Sequence, residues 1–379
     1  MTVSTALPET IAGFRIGRVL GRGGMGVVVA ADHPQHGPVA LKLLEPTEDG
    51  DGAFAARFAR EAEALARLDH PNLARLLASG THGDRLWLAM ELVEGPALAD
   101  LLATHGRLGQ ADAVRVALQV ALALDHAWTR AKLVHRDIKP GNVLIAHGRI
   151  AKVIDFGLAR EGSGTDLTMA GAILGTPAYM APEQIRGDHR LDVRTDLYAL
   201  GGTLFHLLTG RMPYPDPAPV HMVRRHLQDP VPDPLAVVST LHPAVGGLVR
   251  RSMAKAADDR HRDAAAFAAA CRDALRVLGE SEDAPLDLQV RSDSDVLRRP
   301  AAATPASTGR KGTTTRELRP QTESKRMAAL ERRPVDPRIH AAAKPTPATS
   351  QALPWWWWVL AGAALAIDLL LVVMLVRAA

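Results

Sequence analysis

The sequence predicts an α+β fold in which strands come first, helices follow, and the globular part ends well before the C-terminus. Three observations predict it. Short runs of β-branched and other apolar residues recur up to Leu92 and indicate strands. Apolar residues then recur at helical spacing, most clearly in residues 110–130 and 195–209. From Gly279 to Leu353 the chain is rich in Pro, Ala, Thr, Ser and Arg, which predicts a disordered linker.

Length and charge narrow the class of protein. A chain of 379 residues is long enough for one two-lobed domain or for two domains. Its single cysteine, Cys271, permits no internal disulfide, which fits a reducing compartment, and its alanine-rich surroundings favour a packed core thiol. Residues 298–353 hold twelve Lys or Arg and four Asp or Glu, so this stretch carries +8 and the rest of the chain −4. The basic charge therefore marks a tail and argues against a nucleic-acid-binding domain.

A glycine-rich hairpin is predicted at the start of the globular part. Phe14–Leu20 indicates a strand, Gly21-Arg22-Gly23-Gly24-Met25-Gly26 follows, and three valines come next at residues 27–29. Dinucleotide-binding folds place a helix directly after such glycines, whereas three valines favour a second strand. A hairpin without side chains at these positions would let backbone N–H groups approach phosphate oxygens. A glycine-rich hairpin that binds no ligand is the alternative.

One lysine interrupts the next apolar strand, Val39–Leu44. Because lysine is rarely buried without a partner, Lys42 either faces solvent or meets an anion. The helical pattern of Arg57–Leu68 follows and carries Glu61 and Glu63, for which a solvated helix face is the alternative reading. Two further strands are predicted at residues 73–77 and 86–92, and Leu98–Leu102 is predicted to be helical.

A polar loop at residues 135–144 carries the chemistry. It places Asp137, Lys139 and Asn142 within six residues, and Pro140 and Gly141 exclude a helix there. Asp155 follows a short strand that ends in Val153-Ile154 and begins the triplet Asp-Phe-Gly. Two acids, one amide and one lysine on adjacent loops suit a site that holds a divalent metal and handles phosphate.

These motifs resemble the catalytic and metal-binding loops of protein kinases, and Lys139 together with Thr176 resembles the serine/threonine class. The chain is similar in this respect to the eukaryotic-like (Hanks-type) kinases of bacteria. The resemblance runs from Phe14 to about Leu278, with the motifs in the right order and spacing. It implies a two-lobed protein kinase fold, with a small β-rich N-lobe at residues 14–92 and a larger, mainly helical C-lobe at residues 93–278.

The resemblance also assigns roles. It implies that Asp137 accepts or orients the substrate hydroxyl proton, that Lys139 stabilises the transferring phosphate, and that Asn142 and Asp155 bind magnesium. It implies ATP and Mg²⁺ as cofactors and proteins bearing Ser or Thr as substrates. The nucleotide-binding residues would be Leu20, Gly21, Gly23, Gly26, Val28, Ala40, Lys42, Glu61, Met90, Glu91, Val93 and Leu144. Lys42 would contact the α- and β-phosphates with Glu61 as its helix partner, whereas the apolar positions are equally compatible with core packing.

The stretch Asp155–Glu183 resembles a kinase activation segment. Arg136, directly before the catalytic acid, implies control by a phosphate on this segment, because a guanidinium binds phosphate in a bidentate manner. Thr168 is the preferred phosphosite, followed by Thr165 and Ser163. Ala172 stands where related bacterial enzymes often have a second threonine.

Four further residues are expected to act structurally. Thr176 would bond to the catalytic acid and its neighbouring lysine. Asp196 lies in an otherwise apolar helix, so it must find hydrogen-bond donors, and by resemblance it braces the backbone of the catalytic loop. Glu183 and Arg260 match a family ion pair that anchors the end of the activation segment.

The two ends of the chain lie outside the predicted kinase domain. Residues 1–13 are predicted to be a leader. Residues 355–376 form an apolar stretch of 22 residues, long enough to cross a bilayer core of about 30 Å. Four tryptophans at its start and the basic linker before it (residues 279–353) indicate a single-pass protein of the cell membrane. The kinase domain would be cytoplasmic and residues 377–379 outside.

Two membrane interactions follow from this arrangement. The basic linker should be drawn to anionic lipids of the inner membrane. Asp368 inside the span costs about 2.5 to 3.5 kcal/mol on insertion scales. Either the surrounding Leu, Val and Ile residues tolerate it, or it marks a homo-oligomer or a membrane partner.

Two rival functions remain at this point. A nucleotide-binding pseudokinase scaffold is disfavoured because Lys42, Asp137, Asn142 and Asp155 are all present. A kinase of small molecules would have little use for residues 175–183, which resemble a platform for peptide substrates.

Overall fold

The computed structural model describes residues 7–23, 26–44, 52–83, 85–147, 149–156, 177–286 and 288. All of them lie in the first of two compact units, residues 1–302. Within that unit the described residues form a small sheet-based N-lobe and a larger helical C-lobe, which confirms the predicted two-lobed fold.

The N-lobe is a six-stranded antiparallel sheet with one helix. The strand order is β1-β2-β3-β4-β6-β5. Its elements are β1 Thr10–Ile11, β2 Phe14–Gly23, β3 Gly26–His33, β4 Gly37–Leu44, α1 Gly52–Ala66, β5 Leu76–His82 and β6 Arg85–Glu91. Alternate residues of β3 are buried, whereas β4 is buried continuously from Leu41 to Leu44. Phe14 packs edge-on against Trp87 with ring centroids 5.3 Å apart.

Two boundaries of the N-lobe differ from the prediction. The predicted leader, residues 1–13, is partly folded, because Thr10–Ile11 pairs with Phe14 and Arg15 and the Ile11 side chain lies in the lobe core. The strand predicted at residues 73–77 begins later, at Leu76. Leu73 makes only an isolated bridge with Val153, so its apolar character reflects burial in the core rather than a place in the sheet.

The C-lobe is built around two buried helices. Its elements are α2 Leu98–His105, α3 Gln110–Ala131, β7 Val143–Ala146, β8 Ile150–Val153, α4 Pro182–Arg186, α5 Val193–Thr209, α6 Pro219–Gln228, α7 Pro234–Val237, α8 Pro243–Ser252 and α9 Ala264–Val277. Helix α5 is apolar on nearly all sides and correspondingly buried. The Asp192 carboxylate caps its first turn, and Gly210 ends it in the left-handed conformation.

The folded part continues past the predicted start of the linker at residue 279. The buried guanidinium of Arg115 donates to the Ser281 carbonyl (2.8 Å) and pairs with Asp112 (3.0 Å) and with Glu280. Further along, Leu286 is buried against the C-lobe core. The sequence did not indicate this segment, since its contacts are made by a residue of α3, far away in the chain.

Two other predictions concern single elements. Cys271 on α9 is completely buried, which confirms the packed core thiol, and burial raises the pKa of that thiol. No helix among the described residues is both long and apolar enough to cross a membrane. The predicted span at residues 355–376 lies outside the described residues.

Candidate active site

A cavity of about 880 Å³ opens between the two lobes. Its roof is the glycine hairpin, formed by β2 and β3, and its floor is the part of the polar loop that precedes β7, residues 135–142. The predicted site residues that line it are Leu20, Gly21, Gly23, Gly26, Val28, Ala40, Lys42, Met90, Glu91, Val93, Asp137, Lys139, Asn142, Leu144 and Asp155. Glu61 lies on α1, half-buried, and is not part of this lining.

The glycine hairpin is exposed at residues 17–23 and requires glycine at one point. Gly26 has φ +137°, and a Cβ there would lie 2.0 Å from the Leu43 carbonyl oxygen, so a side chain would clash with backbone. By contrast, a Cβ at Gly21 or Gly23 would meet no atom within 4 Å. The absence of side chains at these two positions therefore leaves room inside the cavity and is not needed by the fold.

A lysine and a carboxylate meet at the back of the cavity. Lys42 is 7% exposed on β4, opposite Val28 in the sheet, and its ammonium forms an ion pair with Asp155. Asp155 has φ +61°, which is unusual for a residue with a Cβ and indicates that its surroundings hold it there. Lys42 therefore meets an anion, which is one of the two alternatives that the sequence left open. Its pairing with Glu61 stays a prediction.

The polar loop folds its own side chains together. The Asp137 carboxylate accepts hydrogen bonds from Lys139 Nζ (2.8 Å) and from Asn142 Nδ2 (3.0 Å). Asn142 Nδ2 also donates to the Asp137 carbonyl (2.7 Å). Because Nδ2 makes both bonds, the Asn142 Oδ1 atom is the one that can serve as an acceptor or metal ligand.

Asp196 holds the backbone of the polar loop from beneath. Its carboxylate accepts from the N–H groups of His135 (2.7 Å) and Arg136 (2.8 Å), which confirms the predicted bracing role. Complete burial raises the pKa of Asp196 to about 7, against the effect of these two donors. Arg136 has φ +67°, so the loop is fixed in a conformation that a residue with a side chain rarely adopts.

Residues 14–266 match the protein kinase domain family. The chain belongs to the protein kinase family. It is 36% identical over 279 residues to a probable serine/threonine-protein kinase, PknB, of Bifidobacterium longum, a match that covers 70% of this chain and 40% of the relative. It is 37% identical over 312 residues to the serine/threonine-protein kinase PknD of Mycobacterium tuberculosis, covering 81% of this chain and 46% of the relative. The chain thus spans less than half the length of these curated relatives.

A solved structure agrees with the family assignment. The crystal structure of the Mycobacterium tuberculosis PknI kinase domain is 31% identical, with a TM-score of 0.59, and the match covers 72% of this chain and all of that one. Both lobes described above are therefore the two lobes of a kinase domain.

The end of the kinase activation segment is anchored as predicted. Arg260 is 2% exposed and makes two hydrogen bonds to the Glu183 carboxylate, at 2.6 and 2.8 Å, and Thr195 Oγ1 adds a third at 2.9 Å. Burial acts to raise the pKa of Glu183, but the hydrogen bond and charge of Arg260 outweigh it and hold the pKa below its usual value. Thr176 and the predicted phosphosites Thr168, Thr165 and Ser163 lie outside the described residues.

Three residues of the kinase site were not singled out from the sequence. His135 accepts from the Asp137 N–H through Nδ1 (3.3 Å) and contacts the Ile154 carbonyl through Nε2 (2.9 Å), so it links the polar loop to the strand before Asp155. Full burial of a histidine within a polar loop indicates that its ring nitrogens have hydrogen-bond partners. The sequence alone does not show that His135 is buried, so this role was not predicted. Gln184 donates to the Arg136 carbonyl (3.0 Å) across 48 positions.

The third missed residue is Gly95, in the connection between the lobes. It has φ +145°, and a Cβ there would lie 2.0 Å from the Ile145 carbonyl oxygen. The connection therefore packs directly on β7, and the Ile145 N–H donates to the Pro96 carbonyl (3.0 Å). A glycine three residues after a predicted strand is the only sequence signal for this contact.

Proposed function

We propose that this protein is a serine/threonine protein kinase that transfers the γ-phosphoryl group of ATP to Ser or Thr hydroxyls of proteins. One observation carries the proposal. A single interlobe cavity brings together Lys42 and Asp155 at its back with Asp137, Lys139 and Asn142 on its floor. These are the cations, carboxylates and amide that phosphoryl transfer needs around a bound nucleotide.

The upper part of the cavity fits a flat aromatic ring. The apolar side chains of Leu20, Val28, Ala40, Met90 and Leu144 line it, as expected for an adenine site. The Glu91 N–H already donates to the Arg75 carbonyl (2.8 Å), so Glu91 would contact adenine through its carbonyl group. Val93, which follows on the same cavity wall, would supply a backbone N–H donor.

The donor set fits magnesium that arrives with a nucleotide. No group of three or more His, Cys, Asp or Glu side chains suited to a metal exists within the part of the chain that the structure describes. Asp155 and the Asn142 Oδ1 atom offer two oxygen ligands. Mg²⁺ is typically bound by one or two carboxylates with substrate phosphates and water completing its shell. When bound, the ion would neutralise charge on the phosphate oxygens.

The side chains on the floor would act on the acceptor. Asp137 would hold the Ser or Thr hydroxyl and take its proton as the oxygen bonds to the γ-phosphorus and the bond to the β-phosphate oxygen breaks. Lys139, already 2.8 Å from the Asp137 carboxylate, would place its ammonium beside the transferred phosphoryl group. The fixed geometry of these groups contributes more than the basicity of Asp137.

A protein substrate is favoured over a small molecule. Pro177–Tyr179 forms a short 3-10 turn shortly before α4, and the Glu183–Arg260 ion pair anchors the start of α4. The printed names of the relatives, serine/threonine-protein kinases, support the same substrate class. This proposal includes autophosphorylation at Thr168, Thr165 or Ser163, after which the Arg136 guanidinium would bind the phosphate.

Anchoring in the cell membrane is a further part of the proposal and is supported by the sequence alone. Residues 355–376 would span the bilayer, and the basic linker would attract anionic lipids at about 1 kcal/mol per Lys or Arg near the surface. The kinase domain would then be cytoplasmic. Asp368 would either be tolerated or mediate association with itself or a membrane partner.

The catalytic proposal is tested with the full chain in lipid nanodiscs. We expect transfer of labelled γ-phosphate from ATP to a general protein substrate and to the chain itself, with phosphoserine or phosphothreonine on hydrolysis. Asp137→Asn should bind nucleotide with similar affinity and lose transfer. Nucleotide binding without transfer in the unaltered protein would favour the pseudokinase scaffold. Equal transfer by Asp137→Asn would contradict the assignment of the catalytic acid.

The membrane proposal is tested by cell fractionation. At high salt, which screens the attraction of the basic linker to anionic lipids, the unaltered chain should sediment with membranes and a chain that ends before residue 355 should not. Cross-linking of the unaltered chain and of Asp368→Leu then tests the two hypotheses for Asp368. Loss of association in the variant would support a role in association, and unchanged association would show that the span merely tolerates the carboxylate.

A further inference from the structure

The peptide group that joins Arg136 to Asp137 is held by a residue far away in the sequence, Gln184 on α4. Its carbonyl oxygen accepts a hydrogen bond from Gln184 Nε2 at 3.0 Å. Its N–H donates to His135 Nδ1 at a longer 3.3 Å. Of these two hydrogen bonds, the one from Gln184 is the shorter.

Asp196 does not fix the same plane. Its bonds go to the N–H groups of His135 and Arg136, which belong to the two preceding peptide units. The Arg136–Asp137 plane is connected to them through the φ and ψ rotations of Arg136, where φ is +67°. Because that backbone conformation is unfavourable for a residue with a Cβ, outside contacts must hold it.

The Gln184 side chain is itself oriented by residues 177–181, the described part of the predicted platform (residues 175–183) that precedes α4. These five residues are called the platform below. Its Oε1 accepts from the Ala181 N–H at 3.1 Å, where Ala181 precedes the first turn of α4 and has no side-chain acceptor of its own. With Oε1 used in this way, Nε2 is directed at the Arg136 carbonyl. The amide thus connects one backbone N–H of the platform to one backbone carbonyl of the polar loop.

We propose that Gln184 is a positioning residue for phosphate transfer, which sets the Arg136–Asp137 peptide plane and makes it depend on the platform. The orientation of this peptide plane sets the direction in which the Asp137 side chain leaves the backbone. Lys139 and Asn142 hold the carboxylate at the other end of that side chain. A shift of the platform is therefore transmitted to the catalytic acid without any contact to nucleotide. The inference rests on the kinase function proposed above.

Two substitutions separate the two bonds of the amide. Gln184→Glu keeps an acceptor for the Ala181 N–H and loses the donor to Arg136. Gln184→Met has nearly the same size and loses both bonds. Arg186→Gln on the exposed side of the same helix is the matched control, because Arg186 contacts neither the platform N–H nor the polar loop in the bonds described.

The full chain in nanodiscs is assayed for kcat, for KM of ATP, for nucleotide-binding stoichiometry and for Tm. Both Gln184 variants should lose about tenfold in kcat per nucleotide-binding site, with KM for ATP changed less than about twofold. Arg186→Gln should match the unaltered chain. A protonated carboxyl donates a hydrogen bond as an amide does. The kcat of Gln184→Glu relative to the unaltered chain should therefore rise about twofold or more between about pH 8 and about pH 5.

The outcomes are distinct. An active unaltered chain with normal kcat in either folded Gln184 variant would overturn the inference alone. A loss of kcat that merely follows a loss of nucleotide-binding sites would also overturn it, since that would indicate a role in folding only. If one variant does not fold, the other decides. No transfer by the unaltered chain would overturn the proposed function and this inference together.

Discussion

The roof and the floor of the cavity are built in opposite ways. Residues 17–23 of the glycine hairpin are all exposed, and the hairpin is bonded chiefly to the neighbouring strands of the sheet. The polar loop, in contrast, contains the fully buried His135 and Ile138. Its backbone donates hydrogen bonds to Asp196 on α5 and accepts one from Gln184 on α4. The floor groups that would act on phosphate are held by contacts from other elements, whereas residues 17–23 of the cover above them are exposed.

This difference shows where precision is needed. A nucleotide can be covered by backbone that adjusts to it, but a catalytic carboxylate must stand in place before the reaction. The chain accordingly places buried polar residues under the floor, where each must be satisfied by a partner. Substitutions under the floor should therefore cost more than substitutions in the roof, and the following predictions test that comparison.

The largest effect is expected from removal of the brace under the floor. Asp196→Ala leaves two buried N–H groups without an acceptor, and a shift of the loop by about 1 Å can cost about 100-fold in rate. We expect kcat to fall about 100-fold, measured by phosphate transfer with nucleotide-binding stoichiometry as the reference. Asp196→Asn keeps one acceptor oxygen, so its kcat should fall less than that of Asp196→Ala. Equal kcat in the alanine variant would show that the floor needs no brace.

The next effect concerns the ion pair that anchors the platform. Arg260→Met leaves the Glu183 carboxylate partly buried without its cation, which should destabilise the fold by about 3–5 kcal/mol. Chemical denaturation measures this loss. The double variant Arg260→Met with Glu183→Gln should recover part of it, and a double variant as unstable as the single one would contradict the explanation.

Acid pH should lower the free energy of unfolding through His226, a buried residue of α6 in the C-lobe. Burial, with a smaller effect from the nearby Lys255 charge, lowers the pKa of His226 to about 4. The folded state then binds fewer protons than the unfolded state between about pH 6.5 and 4, so stability is present above this window and lost as pH falls through it. The loss is about 3 kcal/mol at most. Asp196, with its pKa raised to about 7, acts in the opposite direction.

The contribution of His226 is isolated by comparison with His226→Gln. The unfolding free energy of both proteins is measured from pH 7 to pH 4 by denaturant titration. We expect the variant to be less stable at pH 7 but to show a smaller decrease on acidification. Parallel curves would assign the acid sensitivity to other groups, among them His261, whose pKa burial also lowers to about 4.

The smallest effects are expected in the roof, and two glycines there give a matched pair. Gly26→Ala places a Cβ against the Leu43 carbonyl in a backbone conformation that alanine avoids, so it should cost about 1–3 kcal/mol and weaken nucleotide binding. Gly21→Ala meets no atom within 4 Å and should leave Tm within about 2 °C. A similar loss of Tm in both variants would contradict the local explanation.

The sequence predicted the parts of the site that are local in the chain. Asp137, Lys139 and Asn142 lie within six residues, and the three valines after the glycines fixed the hairpin, so spacing alone was informative. Asp196 was also predictable, because a carboxylate in an apolar helix must find donors. The order of strands before helices followed from the change of apolar periodicity after Leu92, whereas the two lobes were implied by the resemblance to protein kinases.

The contacts that could not be predicted join residues far apart in sequence. Nothing near Gln184 indicates a bond to the Arg136 carbonyl, and nothing near Ile11 indicates that a dipeptide would extend the sheet. Strand β5 begins after Leu73 because Leu73 is buried against the core instead of paired in the sheet. Each of these outcomes depends on which surfaces meet in three dimensions.

The segment after α9 determines where this domain can be cut. Residues 280 and 281 satisfy the guanidinium of Arg115, and Leu286 covers part of the helical core, although the family match stops at residue 266. A recombinant fragment ending at 266 or 278 would strip Arg115 of those partners and open an apolar patch to solvent. Aggregation of such fragments would therefore result from a C-terminal boundary placed too early. A fragment that ends at or beyond residue 288 should not aggregate for this reason.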